Sequence, residues 1–136
     1  MLTASQDDHP AHYIADVMAY THDAMIRGLN SIYNQARHIP ANKTDISDFL
    51  FFIEAWAAWI LHHHDLEEKF MFPGFERVLG NPGALAVSSA QHEVFASGLE
   101  ELHNYAKDSR SVDAYSGAYV CELIGRFADS FCEHLG

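Results

Sequence analysis

The chain has 136 residues, 49% of them apolar, which is enough for one domain with its own core and no covalent staples. Its 19 acids against 8 bases leave a formal charge of −11, which argues against a nucleic-acid partner or a basic membrane-surface module. Ten histidines are the anomaly in an otherwise ordinary composition.

The opening MLTASQDDHPAHY has neither the basic nor the apolar region of a signal peptide. No apolar run approaches the ~18 residues that would span a bilayer. Cys121 and Cys132 fall in one predicted helix, about 16 Å apart along its axis and beyond disulfide reach. Two reduced thiols point to a cytoplasmic protein.

Proline and glycine punctuate the chain at HIPANKTD and FPGFERVLGNPG, and KDSRSVD makes a third break. Between them the apolar spacing predicts helices over 10–37, 45–72, 83–107 and 112–135. Asp45 or Thr44 would cap the second helix, and Ser111 or Asp113 the fourth. No segment alternates as a strand does. Four long helices with short connections predict an all-α fold, an up-down-up-down four-helix bundle over residues 1–136.

The first helix carries a stripe through Ile14, Met18, Met25, Leu29, Ile32 and Ala36, and His22 lies on it. The second runs Phe49, Phe52, Ile53, Trp56, Ile60, then Phe70 and Met71, with His63 and Glu67 in its middle. His64 and Glu68 fall toward the edge of that stripe and His62 well off it, so His62 and His64 are expected in solvent or behind the inner ring of side chains. On the third helix His92 lines up with Leu85, Phe95, Leu99 and Ala106; on the fourth His134 follows Val120, Leu123, Phe127 and Phe131. Counted from the end of the bundle where the first and third loops lie, His22, His63, Glu67, His92 and His134 fall within roughly 12 Å of axis. His103 shares the third-helix face but lies well below them.

A buried imidazole needs partners for both nitrogens, and a buried carboxylate needs a cation. Four histidines and one glutamate at a common height meet those needs together by ligating metal. Neutral imidazole and carboxylate suit iron, zinc or manganese, and nothing here demands thiolate. A Ser/His/Asp or Cys/His hydrolase has no support: GxSxG is absent and Cys132 sits off the His134 face. Asp23/Arg27 and Glu122/Arg126 read as ordinary surface pairs one helical turn apart.

The blocks YTHDAM, HHHDLEEKFMFP, QHEVF and CEHLG, in that order and spacing, resemble the hemerythrin-like HHE cation-binding domains. The resemblance implies a four-helix bundle around a non-haem di-iron centre with carboxylate bridges, hence two irons per chain. Carried over by position, it gives His22, His63 with Glu67, His92 and His134 as the ligands. Two departures stand out. Oxygen-carrying hemerythrins have a second third-helix histidine where this chain has Ala96, and an acid four or five residues past the fourth-helix histidine, where this chain ends at Gly136. A truncated C-terminus is the expectation there.

The expected function is therefore a hemerythrin-like iron protein that binds or senses oxygen, nitric oxide, peroxide or iron itself. The alternative is a di-iron enzyme that activates oxygen or peroxide, since Ala96 leaves room beside the metal. A histidine-rich structural bundle with adventitious zinc is the third reading.

Overall fold

The computed structural model describes residues 9–136, so most of the segment read above as lacking a signal peptide lies outside the described residues. Helix α1 spans Pro10–Gln35. Its first N–H groups would be orphaned, and two devices meet that need: His9 Nδ1 accepts from Ala11 N, and Pro10, with no N–H to satisfy, opens the helix. Helix α2 spans Lys43–Leu66 and is capped by Asn42, whose Oδ1 accepts from Asp45 N at 2.9 Å. The cap is thus Asn42 rather than Thr44 or Asp45. Asp45 instead sits in the first turn, where its charge complements the helix dipole.

The second helix does not stop near residue 72. After Leu66 a π-helical turn, Glu67–Met71, leads directly into α3, Phe72–Leu79. Phe72 N–H donates to Glu67 O, five residues back. Pro73 falls in the first turn of α3, where its missing N–H costs little, so it does not end the rod. Gly80 ends it, in the left-handed conformation at φ 64°. The wider π turn delays the side-chain sequence by about one position. Phe72 therefore takes the inward place expected for Phe70 and Met71: Phe72 is 7% exposed and Phe70 is 70% exposed.

Helix α4, Ala86–Asp108, starts three residues later than its pattern suggested, after a turn over residues 82–85. Glu76 Oε1 of α3 accepts from Leu85 N at its start. The last predicted helix is two, α5 over Gly117–Gly125 and α6 over Ala128–Leu135. Ser116 caps α5 through Tyr119 N, whereas Ser111 holds a preceding turn by accepting from Ala114 N. Gly117 begins α5 because a Cβ there would lie 2.0 Å from Ala36 O. The α5–α6 step comes at Arg126 and Phe127, whose N–H groups reach only three residues back, to Leu123 O and Ile124 O. Phe127 is buried there against Gly98 of α4, where a Cβ would come within 2.9 Å.

Helix α1 packs on α2, α5 and α6; α2 packs on α4; and α4 packs on α5 and α6, which closes a ring of helices around one core. Met25, Leu29, Ile32, Ile46, Leu50, Ile53, Ile60, Phe95, Leu99, Leu102, Leu123, Phe127 and Phe131 fill it. Each such side chain contributes about 1.5–3 kcal/mol by leaving water. Trp56 ties α2 to α1 by donating its indole N–H to Met25 O at 3.1 Å. The Asp23–Arg27 and Glu122–Arg126 pairs form on the surface as expected, and Arg126 also reaches Glu101. Among the described residues there is no strand, and no helix is long and apolar enough to cross a membrane. Cys121 and Cys132 are both free.

The π turn's one-position shift has a direct check by chemical denaturation. Phe72→Ala should cost roughly 3–5 kcal/mol, as a buried aromatic does, and Phe70→Ala under about 0.5 kcal/mol. Equal costs would contradict the shift.

Candidate metal centre

Glu67 sits at the junction of α2 and the π turn and is 4% exposed. Its two carboxylate oxygens face different neighbours. Oε1 lies 3.0 Å from His63 Nε2, one turn back on α2, and 3.9 Å from His22 Nε2 on α1. Oε2 lies 3.1 Å from His92 Nε2 on α4. These are approaches without hydrogen-bond alignment: His22 Nε2, His63 Nε2 and Glu67 Oε2 are sealed from solvent with no hydrogen-bond partner.

His92 Nε2 in turn lies 2.8 Å from His134 Nε2 on α6. The outer nitrogens of both rings are occupied. His92 Nδ1–H donates to Glu68 Oε1 at 2.7 Å, and His134 Nδ1–H donates to Gln91 Oε1 at 2.9 Å. Ser89 Oγ–H donates to the other oxygen of Glu68 at 2.7 Å. A neutral imidazole that donates from Nδ1 presents a lone pair at Nε2. Two lone pairs and a carboxylate oxygen therefore converge within about 3 Å. That arrangement repels itself unless a positive charge lies among them, and either a proton or a metal ion would serve.

The five residues singled out from the sequence, His22, His63, Glu67, His92 and His134, thus come together at one level of the fold. His62 is exposed, and His103 belongs to neither group of side chains able to share an ion. One residue was misplaced. His64 is not at a solvated edge: it is 6% exposed, its ring centroid lies 4.3 Å from that of His92, and its Nε2 has no partner. The reason is the true centre of the α2 stripe. Trp56 aside, the buried series is Ile46, Leu50, Ile53, Ala57, Ile60, His64 and Glu67, stepping alternately by four and three, while Phe52 is half exposed. That heptad was present in the sequence, but the bulk of Phe49 and Phe52 drew the stripe one position aside. The supporting roles of Glu68, Ser89 and Gln91 carried no such signal.

Four donors, His64, Glu67, His92 and His134, lie with their ligand atoms within 4.8 Å of one another, and so do His22, His63 and Glu67. Burial opposes the charge on Glu67, yet its contacts with His22, His63 and His92 outweigh it and hold the carboxyl well below the usual range. Burial, with His92 beside it, pushes His64 down to about 3 and His134 down to about 4. Burial also opposes charge on His92, but Glu67 and Glu68 overcome it and raise that imidazole. At neutral pH His64 and His134 are therefore neutral imidazoles beside an ionised Glu67. That is the state in which such groups ligate metal.

A helical protein that surrounds a buried carboxylate with sealed, unpartnered imidazoles is built to bind a cation. The chain belongs to the hemerythrin HHE cation-binding domain family, whose sequence model matches residues 13–136. It is 35% identical over 129 residues to the "Dimeric xanthone biosynthesis cluster protein R11" of Cryptosporiopsis sp. (strain 8999), a match that covers 95% of this chain and 48% of that protein. The chain therefore spans about half the length of this relative. No solved structure matches it.

Glu68 holds the outer N–H of His92. Glu68→Ala should weaken metal affinity about 10–100-fold without changing the number of ions bound. Competition against a chelator measures this, and unchanged affinity would show that His92 needs no such support.

Proposed function

We propose that this chain is a hemerythrin-like non-haem iron protein that binds or senses a small ligand, namely oxygen, nitric oxide, peroxide or iron itself. The observation that carries the reading is Glu67, whose Oε1 faces His22 and His63 while its Oε2 faces His92. A carboxylate so placed could serve two ions at once, which supports a reading of two irons per chain. His22, His63, Glu67, His92 and His134 are the proposed ligands. The set contains only nitrogen and oxygen donors, which suits iron and also leaves zinc and manganese as possible occupants. Iron held there would supply redox chemistry and coordination positions for a small ligand.

The residues around the donors set the terms for that ligand. Phe72 stacks on His92 with ring centroids 5.4 Å apart, and Phe95 lies against both His92 and His134. These rings exclude water and lower the local dielectric, so charge at the site is strongly felt. Glu68 and Gln91 fix the outer N–H groups of His92 and His134 and so keep both Nε2 atoms turned inward. The helix pairings support an up-down-up-down four-helix bundle, with α5 and α6 together as the fourth member, forming one domain. The excess of acids favours a small-ligand partner over nucleic acid or a membrane surface, and the reduced thiols favour the cytoplasm.

A second reading is an enzyme that activates oxygen or peroxide. It draws support from the biosynthesis-cluster name of the relative and from a cleft of about 180 Å³, lined in part by His64, His92 and Ala96, beside the donors.

Anaerobic titration with ferrous iron, followed by oxygen, tests both. Tight iron binding with a visible band that forms and reverses supports binding or sensing; a band that decays with turnover supports the enzyme. Failure to bind iron contradicts both. Glu67→Ala should abolish tight binding and His63→Ala should lose one of the two ions, whereas His62→Ala and His103→Ala should retain both. Equal loss from all four would undo the ligand assignment.

A further inference from the structure

We propose that His64 is itself a metal ligand, which completes with His92, His134 and Glu67 a second metal position distinct from that of His22, His63 and Glu67. The proposal rests on the metal-binding reading above and adds a donor to it.

Three observations carry it. First, His64 is 6% exposed and its Nε2 is sealed from solvent with no hydrogen-bond partner. Packing against Phe95, at 5.1 Å between ring centroids, accounts for where the ring lies but leaves that nitrogen unsatisfied. Few buried polar atoms are left so, because the desolvation goes uncompensated. Second, the neighbours of His64 are donors. Its ring lies 4.3 Å from that of His92 and 5.3 Å from that of His134, and one ligand atom from each of these and Glu67 falls within 4.8 Å of the rest. Third, the chain geometry separates two positions. Adjacent residues on a helix point about 100° apart. His63 is thus directed to Glu67 Oε1 and the His22 side, and His64 to the His92 and His134 side. Ala96 of α4 borders the same cleft as His64, and its small side chain leaves room for the ring.

The two positions are unequal. The first offers two imidazoles and a carboxylate oxygen, and the second three imidazoles and a carboxylate oxygen. A divalent first-row metal finds a complete four-donor set only at the second. The second position therefore fills first and holds its ion more tightly, and the first is the more open.

Cobalt(II) is a suitable probe, because its visible spectrum and its effect on nearby protons report the donors independently of any activity. Wild type should take up two equivalents in two unequal steps. His64→Ala should weaken the tighter step at least tenfold and keep the weaker one, while His62→Ala leaves both steps intact. If His64→Ala titrates and absorbs as wild type does, the proposal is overturned. A wild type that binds no cobalt overturns the metal-binding reading itself. A measurement on the unaltered protein guards against a variant that does not fold. The cobalt-loaded chain should show strongly shifted ring N–H protons from five histidines, His22, His63, His64, His92 and His134. Four, with the His64 signal in its ordinary range, would return His64 to core packing.

Discussion

The structure turns on one buried carboxylate. Glu67 is 4% exposed, and an isolated charge at that depth would cost several kcal/mol. The fold answers by bringing His22 from α1, His63 from α2 and His92 from α4 to its two oxygens. The helices those residues ride on are among those whose packing closes the core, so the fold itself brings the donors together. The π turn begins at Glu67 itself. It carries the chain past Pro73 without a break and seats Phe72 against His92, which walls the site from water.

Satisfaction of polar groups is graded from the outside inward. Ser89 and Glu68 hold one side of His92, and Gln91 holds one side of His134, through hydrogen bonds of 2.7 to 2.9 Å. Inside that layer the pairing stops: Nε2 of His22, His63 and His64 and Oε2 of Glu67 have no hydrogen-bond partner. Four such atoms gathered in one place, in a core otherwise well packed, point to an ion. The outer layer fixes the direction of the rings, and the inner layer remains free to ligate.

Much of this was legible in the sequence. The 3.6-residue period on four segments brought His22, His63, Glu67, His92 and His134 to one face and one height, because helical geometry converts residue number directly into angle and distance. What escaped came from tertiary effects. His64 is masked in the sequence by the bulky Phe49 and Phe52, which weight the apolar stripe to one side, although Ile46, Leu50, Ile53, Ala57 and Ile60 lead straight to it. The π turn leaves no periodic trace until its consequence, Phe72 in place of Phe70, is seen in three dimensions. The step between α5 and α6 depends on Phe127 meeting Gly98 across the core, a contact 29 residues apart that no local rule anticipates. Caps slipped by a few residues at α2 and α5 because several candidates stood close together and packing selected among them.

The central claim is that Glu67 joins two ion positions. Anomalous diffraction from a crystal of the iron-loaded protein tests it most directly. The account predicts two iron peaks about 3.5–4 Å apart, one beside each oxygen of Glu67. A single peak on one side, or iron bound away from Glu67, would contradict it.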